Sequence, residues 1–209
     1  MPEPTLVHRV LGRAGVTVLN HLPVPLPVAR LGMLGENAVE NRRGGWDRLR
    51  DGSEDSRYRT VRLMLNRHAR DGFVLDVGCS QGILQEGLGY RRYVGVDHHA
   101  PTVHRAQAGK GDARTAFVHA DAAAYVPDEA PDAVVFSEVL YYLARPVRVV
   151  ERYAGLLAPG GVVLVSCYAR TWPTRRLLQR LTRRLDVVEG TRVVAEPHAW
   201  DVAVLRPRA

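Results

Sequence analysis

One stretch decides the fold: Phe73-Val74-Leu75-Asp76-Val77-Gly78-Cys79-Ser80-Gln81-Gly82. Its first half is apolar and β-branched apart from one acid near the end, which predicts a strand buried in a parallel sheet. A loop with two glycines follows at once. Gly78 and Gly82 allow tight turns with positive φ and let a ligand lie against the main chain without meeting a side chain. Such a passage from strand to ligand loop is typical of a doubly wound sheet, and the absence of G-x-G-x-x-G disfavours a dinucleotide site.

On both sides of this stretch, apolar runs alternate with helical segments. Strands are expected at 73–77, 93–96, 116–119, 133–137 and 162–167, with a terminal antiparallel pair formed by 185–188 with 192–194 and by 200–205. Helices are expected at 56–69, 83–88, 101–108, 146–157 and 174–184. This alternation predicts an α/β fold: a doubly wound, mostly parallel sheet of seven strands whose last strand is antiparallel.

The length of 209 residues suits one folding unit. Residues 1–60 are expected to form an N-terminal helical cap or lid, and residues 61–209 the ligand-binding domain. Three prolines exclude a regular helix or a central strand from Leu22–Val28. This proline-rich segment is expected either to close over the site or to dock on a second subunit, giving a homodimer. No apolar run approaches the ~20 residues that span a bilayer, so no membrane partner is expected.

The net charge of +7 raises the question of a nucleic-acid partner. Lys110 is the only lysine among 29 basic residues, and this arginine bias is typical of a GC-rich genome. A nucleic-acid partner is therefore not expected. One arginine cluster fits either the solvated face of a helix or a phosphate contact: Arg175, Arg176, Arg180, Arg183 and Arg184.

The cysteine count excludes a disulfide framework. Cys79 and Cys167 follow the first and fifth strands. If the fourth strand lies between these two, the cysteines are roughly 9–10 Å apart, too far for a disulfide. A reducing, cytoplasmic setting is expected. The histidines show no spacing typical of a zinc site, so no metal is expected.

Ligands of an open α/β sheet bind beyond the carboxyl ends of its strands, so the residues there describe the site. Asp97 ends the second strand, where a carboxylate can accept two hydrogen bonds from a ribose diol or cap the next helix. His98 and His99 follow it, and a neutral histidine can accept a proton from a hydroxyl group. Asp121 ends the third strand, and Ser137 and Glu138 end the fourth.

Five motifs between residues 73 and 167 resemble those of class I S-adenosylmethionine-dependent methyltransferases. They are Asp76-x-Gly-x-x-x-Gly82, Gly95-Val96-Asp97, Ala120-Asp121-Ala122, Pro131-Asp132-Ala133-Val134-Val135 and Leu157-Ala158-Pro159-Gly160-Gly161. The resemblance implies a Rossmann-like fold, S-adenosylmethionine as cofactor and S-adenosylhomocysteine as product. It implies these cofactor-binding residues: Asp76, Gly78, Cys79, Ser80, Gly82, Asp97, His98, Asp121, Ala122 and Ser137. Ser80 stands where many members carry a second loop glycine.

The segment Phe136–Leu143 is similar to that of small bacterial metabolite methyltransferases, including the nodulation N-methyltransferases. The resemblance implies two candidate catalytic residues, Glu138 and Tyr141, and His98 is a third candidate because its imidazole can accept a proton. Glu138 is expected to act as a base, to orient an amine or to be a structural hydrogen-bond acceptor. Four aromatic residues are expected to line the substrate pocket or lid, or to pack in the core: Trp46, Tyr58, Tyr142 and Tyr168.

The expected function is in-line methyl transfer to a nitrogen or oxygen atom of a small molecule, in secondary metabolism. Positioning supplies much of such a rate, and a base matters chiefly for hydroxyl acceptors. The alternatives are an RNA methyltransferase, and a protein of this fold that uses the cofactor as a scaffold, as in a cyclase, or serves as a partner subunit. The intact Asp76, Gly78, Gly82 and Asp97 disfavour a degenerate site.

Overall fold

The computed structural model describes residue 52 and residues 54–169 and 172–208. Most of the predicted cap therefore lies outside the described residues, including Trp46 and the proline-rich segment. The division of the chain at residue 60 stays a prediction. Tyr58 is the one predicted lid residue of residues 1–60 that is described.

The described chain forms a single seven-stranded sheet. Its strands are β1 (Phe73–Val77), β2 (Arg92–Asp97), β3 (Thr115–His119), β4 (Ala133–Ser137), β5 (Val162–Tyr168), β6 (Leu185–Ala195) and β7 (His198–Pro207). The strand order is β3-β2-β1-β4-β5-β7-β6, with β1 to β5 parallel and β7 antiparallel to both of its neighbours. The predicted doubly wound sheet with an antiparallel last strand is confirmed. Because the order reverses between β1 and β4, the carboxyl ends of these strands open the crevice where ligands bind.

Within the described residues, four α-helices accompany the sheet: α1 (Asp55–His68), α2 (Ala100–Lys110), α3 (Pro146–Ala154) and α4 (Trp172–Thr182). Successive residues of a strand point to opposite faces, and two apolar clusters result. One cluster includes Val61 and Leu65 of α1, as the helical spacing predicts, and Val103 of α2. The other includes Val150 of α3 and Leu177 of α4. Every residue of β1 is buried, which places Asp76 inside the protein rather than at its surface.

The helix predicted at 83–88 is wrong. Residues 80–87 form successive turns instead. Gly82 and Gly87 have φ values of +66° and +76°, which are incompatible with a right-handed helix. The turn still buries Ile83, Leu84 and Leu88 against the α1 face of the sheet.

The terminal strand pair is longer than predicted. β6 is one strand with a register shift between Val187 and Glu189, where two shorter segments were expected. Only Glu196 and Pro197 connect β6 to β7, instead of about five residues. The helix predicted at 146–157 ends at Ala154, and α4 begins two residues before the predicted start.

The predicted position of β4 between β1 and β5 is confirmed. Cys79 and Cys167 are both free and buried. Burial raises the pKa of both thiols well above the ordinary value, so neither side chain is a thiolate near neutral pH.

Candidate active site

The turn after β1 requires glycine at its first position. Gly78 has a φ of +81°, and its N–H donates to the carbonyl of Val96 in β2 at 2.7 Å. A Cβ atom at this position would lie 2.4 Å from Cγ2 of Val139, far inside van der Waals contact. The main chain of the turn therefore lies directly against the segment that follows β4, as the strand-end argument expects.

The end of the same turn packs against β3. Gly82 has a φ of +66°, and a Cβ atom there would lie 2.4 Å from the ring of Phe117. Ser80 also has a positive φ, +47°. A left-handed conformation at this position explains why glycine suits it in related sequences. The turn is thus held between Val139 on one side and Phe117 on the other.

Asp76 is a buried acid with one unsatisfied oxygen. The hydroxyl of Tyr93 donates to Oδ2 at 2.6 Å, whereas none of the described residues donates to Oδ1. Burial raises the pKa of Asp76 to about 6, although the bond from Tyr93 opposes this effect. Buried polar atoms are nearly always hydrogen-bonded in folded proteins. An unpaired acceptor beside the glycine turn therefore suits a ligand that brings its own donor.

Asp97 is an ionised carboxylate at the end of β2. Its Oδ2 accepts from the N–H of Ser80 at 3.0 Å, and its Oδ1 accepts from the N–H of His99 at 2.9 Å. Burial opposes ionisation, but the hydrogen bonds from His98 and from these two amides lower the pKa of Asp97 overall. Asp97 therefore joins the glycine turn to His99, the residue that precedes α2. Its Oδ2 keeps a further lone pair for a ligand hydroxyl.

The residues beside Asp97 are more exposed. The His98 side chain is two-thirds exposed, with Nδ1 3.4 Å from Oδ1 of Asp97, and this contact raises the pKa of the imidazole. Asp121 is exposed, and its Oδ1 accepts from the N–H of Ala123 at 2.8 Å, which is the geometry of a turn acid. Ala122 is half-buried, and its carbonyl accepts from the hydroxyl of Tyr153.

Glu138 occupies a strained position directly after β4. Its φ of +59° is uncommon for a residue with a side chain. Oε2 accepts from the Tyr141 hydroxyl at 2.6 Å, and Oε1 accepts from the Ser166 hydroxyl of β5 at 3.0 Å. Burial raises the pKa of Glu138 to about 7. Two neutral donors thus orient the two carboxylate oxygens of Glu138. The carboxyl group gains and loses its proton near neutral pH.

Arg57 of α1 is a buried charged residue beside the candidate site that the sequence reasoning missed. It is only 2% exposed, and its guanidinium donates to Glu54 and to the hydroxyl of Ser137. Its charge favours the ionised forms of Asp76 and Glu138. A signal was present, because Arg57 precedes Val61 and Leu65 at the spacing of four residues that marks the inner face of α1.

The predicted aromatic residues differ in their surroundings. Tyr58 is buried in the core, 4.1 Å beneath the guanidinium of Arg57. Tyr142 is partly exposed and meets Tyr141 edge to face, with ring centroids 4.9 Å apart. Tyr168 is also partly exposed and lies 6.5 Å from the buried ring of Trp200, which sequence reasoning did not single out.

In the described part of the chain, none of the helices has the length and apolarity required to cross a bilayer. No group of three or more histidine, cysteine, aspartate and glutamate side chains there is arranged to hold a metal ion.

Comparison with known proteins supplies independent evidence. Residues 51–201 match a family model described as "Methyltransferase domain". An uncharacterized methyltransferase of Mycobacterium tuberculosis is 39% identical over 98 residues, covering 46% of this chain and 50% of that protein. A trans-aconitate 2-methyltransferase of Methylobacterium radiotolerans is 32% identical over 133 residues, covering 60% of this chain and 50% of that protein. The chain thus spans about half the length of the curated relatives that it matches.

Among solved structures, the N-methyltransferase NodS of Bradyrhizobium japonicum WM9 superposes with a TM-score of 0.66. The superposition covers 77% of this chain and 99% of that protein at 22% identity. NodS in complex with S-adenosylhomocysteine gives a TM-score of 0.63 at 25% identity, covering 75% of this chain and 88% of that one. These likenesses establish a common fold.

Proposed function

This chain belongs to the methyltransferase domain family, and on that premise we propose that it transfers a methyl group from S-adenosylmethionine to a nitrogen or oxygen atom of a small molecule. The observation that carries the proposal is the unpaired Oδ1 of Asp76 beside the glycine turn. An ammonium group supplies the donor that this buried acceptor lacks, and the amino-acid part of the cofactor has one.

The other residues of the crevice fit the rest of the cofactor. Asp97 is ionised, and its Oδ2 retains a lone pair for a hydroxyl of the ribose. Gly78 lets the main chain of the turn pack directly against Val139, which fixes the path of the turn beside the crevice. When bound, the cofactor supplies a methyl group on a cationic sulfur. The protein's task is then to hold both partners in line and to accept a proton where the acceptor has one to lose.

We assign to Glu138 the role of accepting the proton. Tyr141 and Ser166 fix the direction of its carboxylate, and its pKa of about 7 suits a general base at physiological pH. Tyr141 acts by orienting Glu138. His98 is a second candidate on the exposed side of Asp97, because its contact with Asp97 raises the pKa of the imidazole and so makes it a stronger proton acceptor.

The class of acceptor is supported by the relatives. The name trans-aconitate 2-methyltransferase denotes an enzyme that acts on a small molecule, and the name N-methyltransferase NodS denotes methyl transfer to a nitrogen atom. Tyr142 and Tyr168 are partly exposed aromatic side chains near the ends of β4 and β5, where an acceptor would meet the methyl group. The two buried, free thiols support a reducing compartment such as the cytoplasm.

Calorimetric titration with S-adenosylhomocysteine and, separately, with NAD tests the proposal. We expect the wild type to bind the thioether and to ignore NAD. Asp97→Ala should weaken thioether binding at least about tenfold, because a charge-assisted hydrogen bond to the ribose is lost together with the bond that ties Ser80 to Asp97. Asp112→Ala is the matched control, since it removes an exposed acid that precedes the amino end of β3, away from the carboxyl ends of the strands. Failure of the folded wild type to bind S-adenosylhomocysteine would refute the proposal.

A further inference from the structure

The four carbonyls that follow the glycine turn accept hydrogen bonds from two cationic side chains. Nζ of Lys110, at the end of α2, donates to the carbonyls of Gln81 at 2.7 Å and Gly82 at 2.8 Å. Arg62 of α1 donates to the carbonyls of Ile83 at 2.5 Å and Leu84 at 3.1 Å. We call this arrangement of Lys110, Arg62 and carbonyls 81–84 the carbonyl clamp.

The carbonyl clamp accompanies the irregular path of residues 83–88. In an α-helix each carbonyl accepts from the N–H four residues later. Here the carbonyls of residues 81–84 accept from side chains of α1 and α2, and the carbonyl of Ile83 also accepts from the N–H of Glu86, three residues later, at 3.3 Å. The clamp therefore holds the non-helical path that Gly82 and Gly87 set, in which the N–H of Gly82 donates to the carbonyl of Cys79 at 2.9 Å.

The chemistry of the clamp selects lysine at residue 110. An ammonium group has three donors around one point, and Lys110 uses all three, because it also contacts Oε1 of Glu86 at 2.7 Å. Its side chain is only 17% exposed. A guanidinium is a planar fork and does not converge on three acceptors in this way. In a chain with 28 arginines, the single lysine stands where a compact cation is required.

We propose that Lys110 and Arg62 are positioning residues of the cofactor site, which act through the main chain of residues 81–84. The inference rests on the proposed function, because it assumes that the glycine turn binds S-adenosylmethionine. A turn that is already ordered loses less conformational entropy when a ligand binds. The clamp orders the turn from its far end, while Val96 and Asp97 hold the near end.

Two measurements on Lys110→Met, Lys110→Arg and Arg62→Met test the proposal. The first is the dissociation constant for S-adenosylhomocysteine, which we expect to rise about tenfold in both methionine variants. Lys110→Arg keeps the charge but not the convergent contacts, so we expect this variant to bind S-adenosylhomocysteine several-fold more weakly than the wild type does. The second is amide hydrogen exchange of residues 80–88 without ligand, which should become faster in all three variants.

Arg59→Met is the matched control for charge, because Arg59 is an exposed cation on the same helix as Arg62. It should change neither measurement. Variants that melt earlier but bind the ligand as tightly as the wild type would overturn the proposal, since the clamp would then be merely structural. If the proposed function is wrong, the wild type itself will not bind S-adenosylhomocysteine, so this outcome is distinguished from a failure of the clamp. In that case faster amide exchange of residues 80–88 in the variants would still show that the clamp orders the turn.

Discussion

The hydroxyl of Tyr93 donates a 2.6 Å hydrogen bond to Oδ2 of Asp76, linking two neighbouring strands inside the protein. Tyr93 and Asp76 are both almost completely buried. The bond stabilises the charged carboxylate against the effect of burial, which raises its pKa to about 6. Tyr93 therefore helps to keep an acid ionised at the bottom of the crevice.

Tyr93→Phe should destabilise the protein more at pH 8 than at pH 5. At pH 8 Asp76 is mainly ionised in the native state, and loss of the hydroxyl leaves a buried charge without a partner, at about 1–3 kcal/mol. At pH 5 the carboxyl group is already protonated, so the loss is smaller. Denaturant unfolding at both pH values measures the difference. Tyr90→Phe is the control, because its hydroxyl contacts the neutral Thr115 and its effect should not depend on pH.

The rate of methyl transfer should rise with pH through about 7 and then level off. Glu138 must be ionised to accept a proton, and burial places its pKa at about 7. Glu138→Gln should lower kcat by about 100-fold or more and abolish this pH dependence. A pH–rate profile with saturating cofactor, once an acceptor has been found, makes the comparison. A mutant that retained the wild-type profile would show that Glu138 is only structural.

The same residue should reduce stability as the pH rises. Between its ordinary pKa of 4.5 and its native pKa of about 7, Glu138 binds more protons in the native state than in the unfolded state. The free energy of unfolding therefore falls from pH 5 to pH 8, and this loss is complete above the native pKa. The glutamine in Glu138→Gln cannot titrate. The free energy of unfolding of this variant should therefore rise by about 2 kcal/mol relative to that of the wild type between pH 5 and pH 8. A difference that stayed constant with pH would contradict the elevated pKa.

Sequence patterns predicted the strands well because each of β1, β4 and β5 is a short apolar run that is buried on both faces. The grouping of the acids at the strand ends was equally predictable from the sequence, since parallel strands bring their carboxyl ends to one edge of the sheet. The turn at 80–87 was missed because the positive φ values of Gly82 and Gly87 cannot be read from their identity alone, and the contacts of Lys110 and Arg62 that hold the turn come from distant parts of the sequence.

Arg57 was missed for a related reason. Charged residues are expected at the surface, whereas this guanidinium is enclosed by Glu54, Ser137 and two aromatic rings. Periodicity places a residue on the inner face of a helix, but it does not reveal the partners that make a buried charge stable. Those partners come from β4 and from the preceding turn, so only the assembled fold shows them.

The contact between the glycine turn and the residue after Glu138 gives the most specific prediction. A methyl group at Gly78 would lie 2.4 Å from Cγ2 and 2.7 Å from Cβ of Val139, at a φ of +81°. Gly78→Ala should therefore suffer both backbone strain and a clash, and lose about 2–4 kcal/mol of stability together with cofactor binding. Gly160→Ala separates the two effects: its φ is +79° but no atom lies within 4 Å, so only the strain of about 1 kcal/mol remains. Combining Gly78→Ala with Val139→Ala should restore part of the loss, and a double-mutant cycle without any coupling would show that the turn does not rest on Val139.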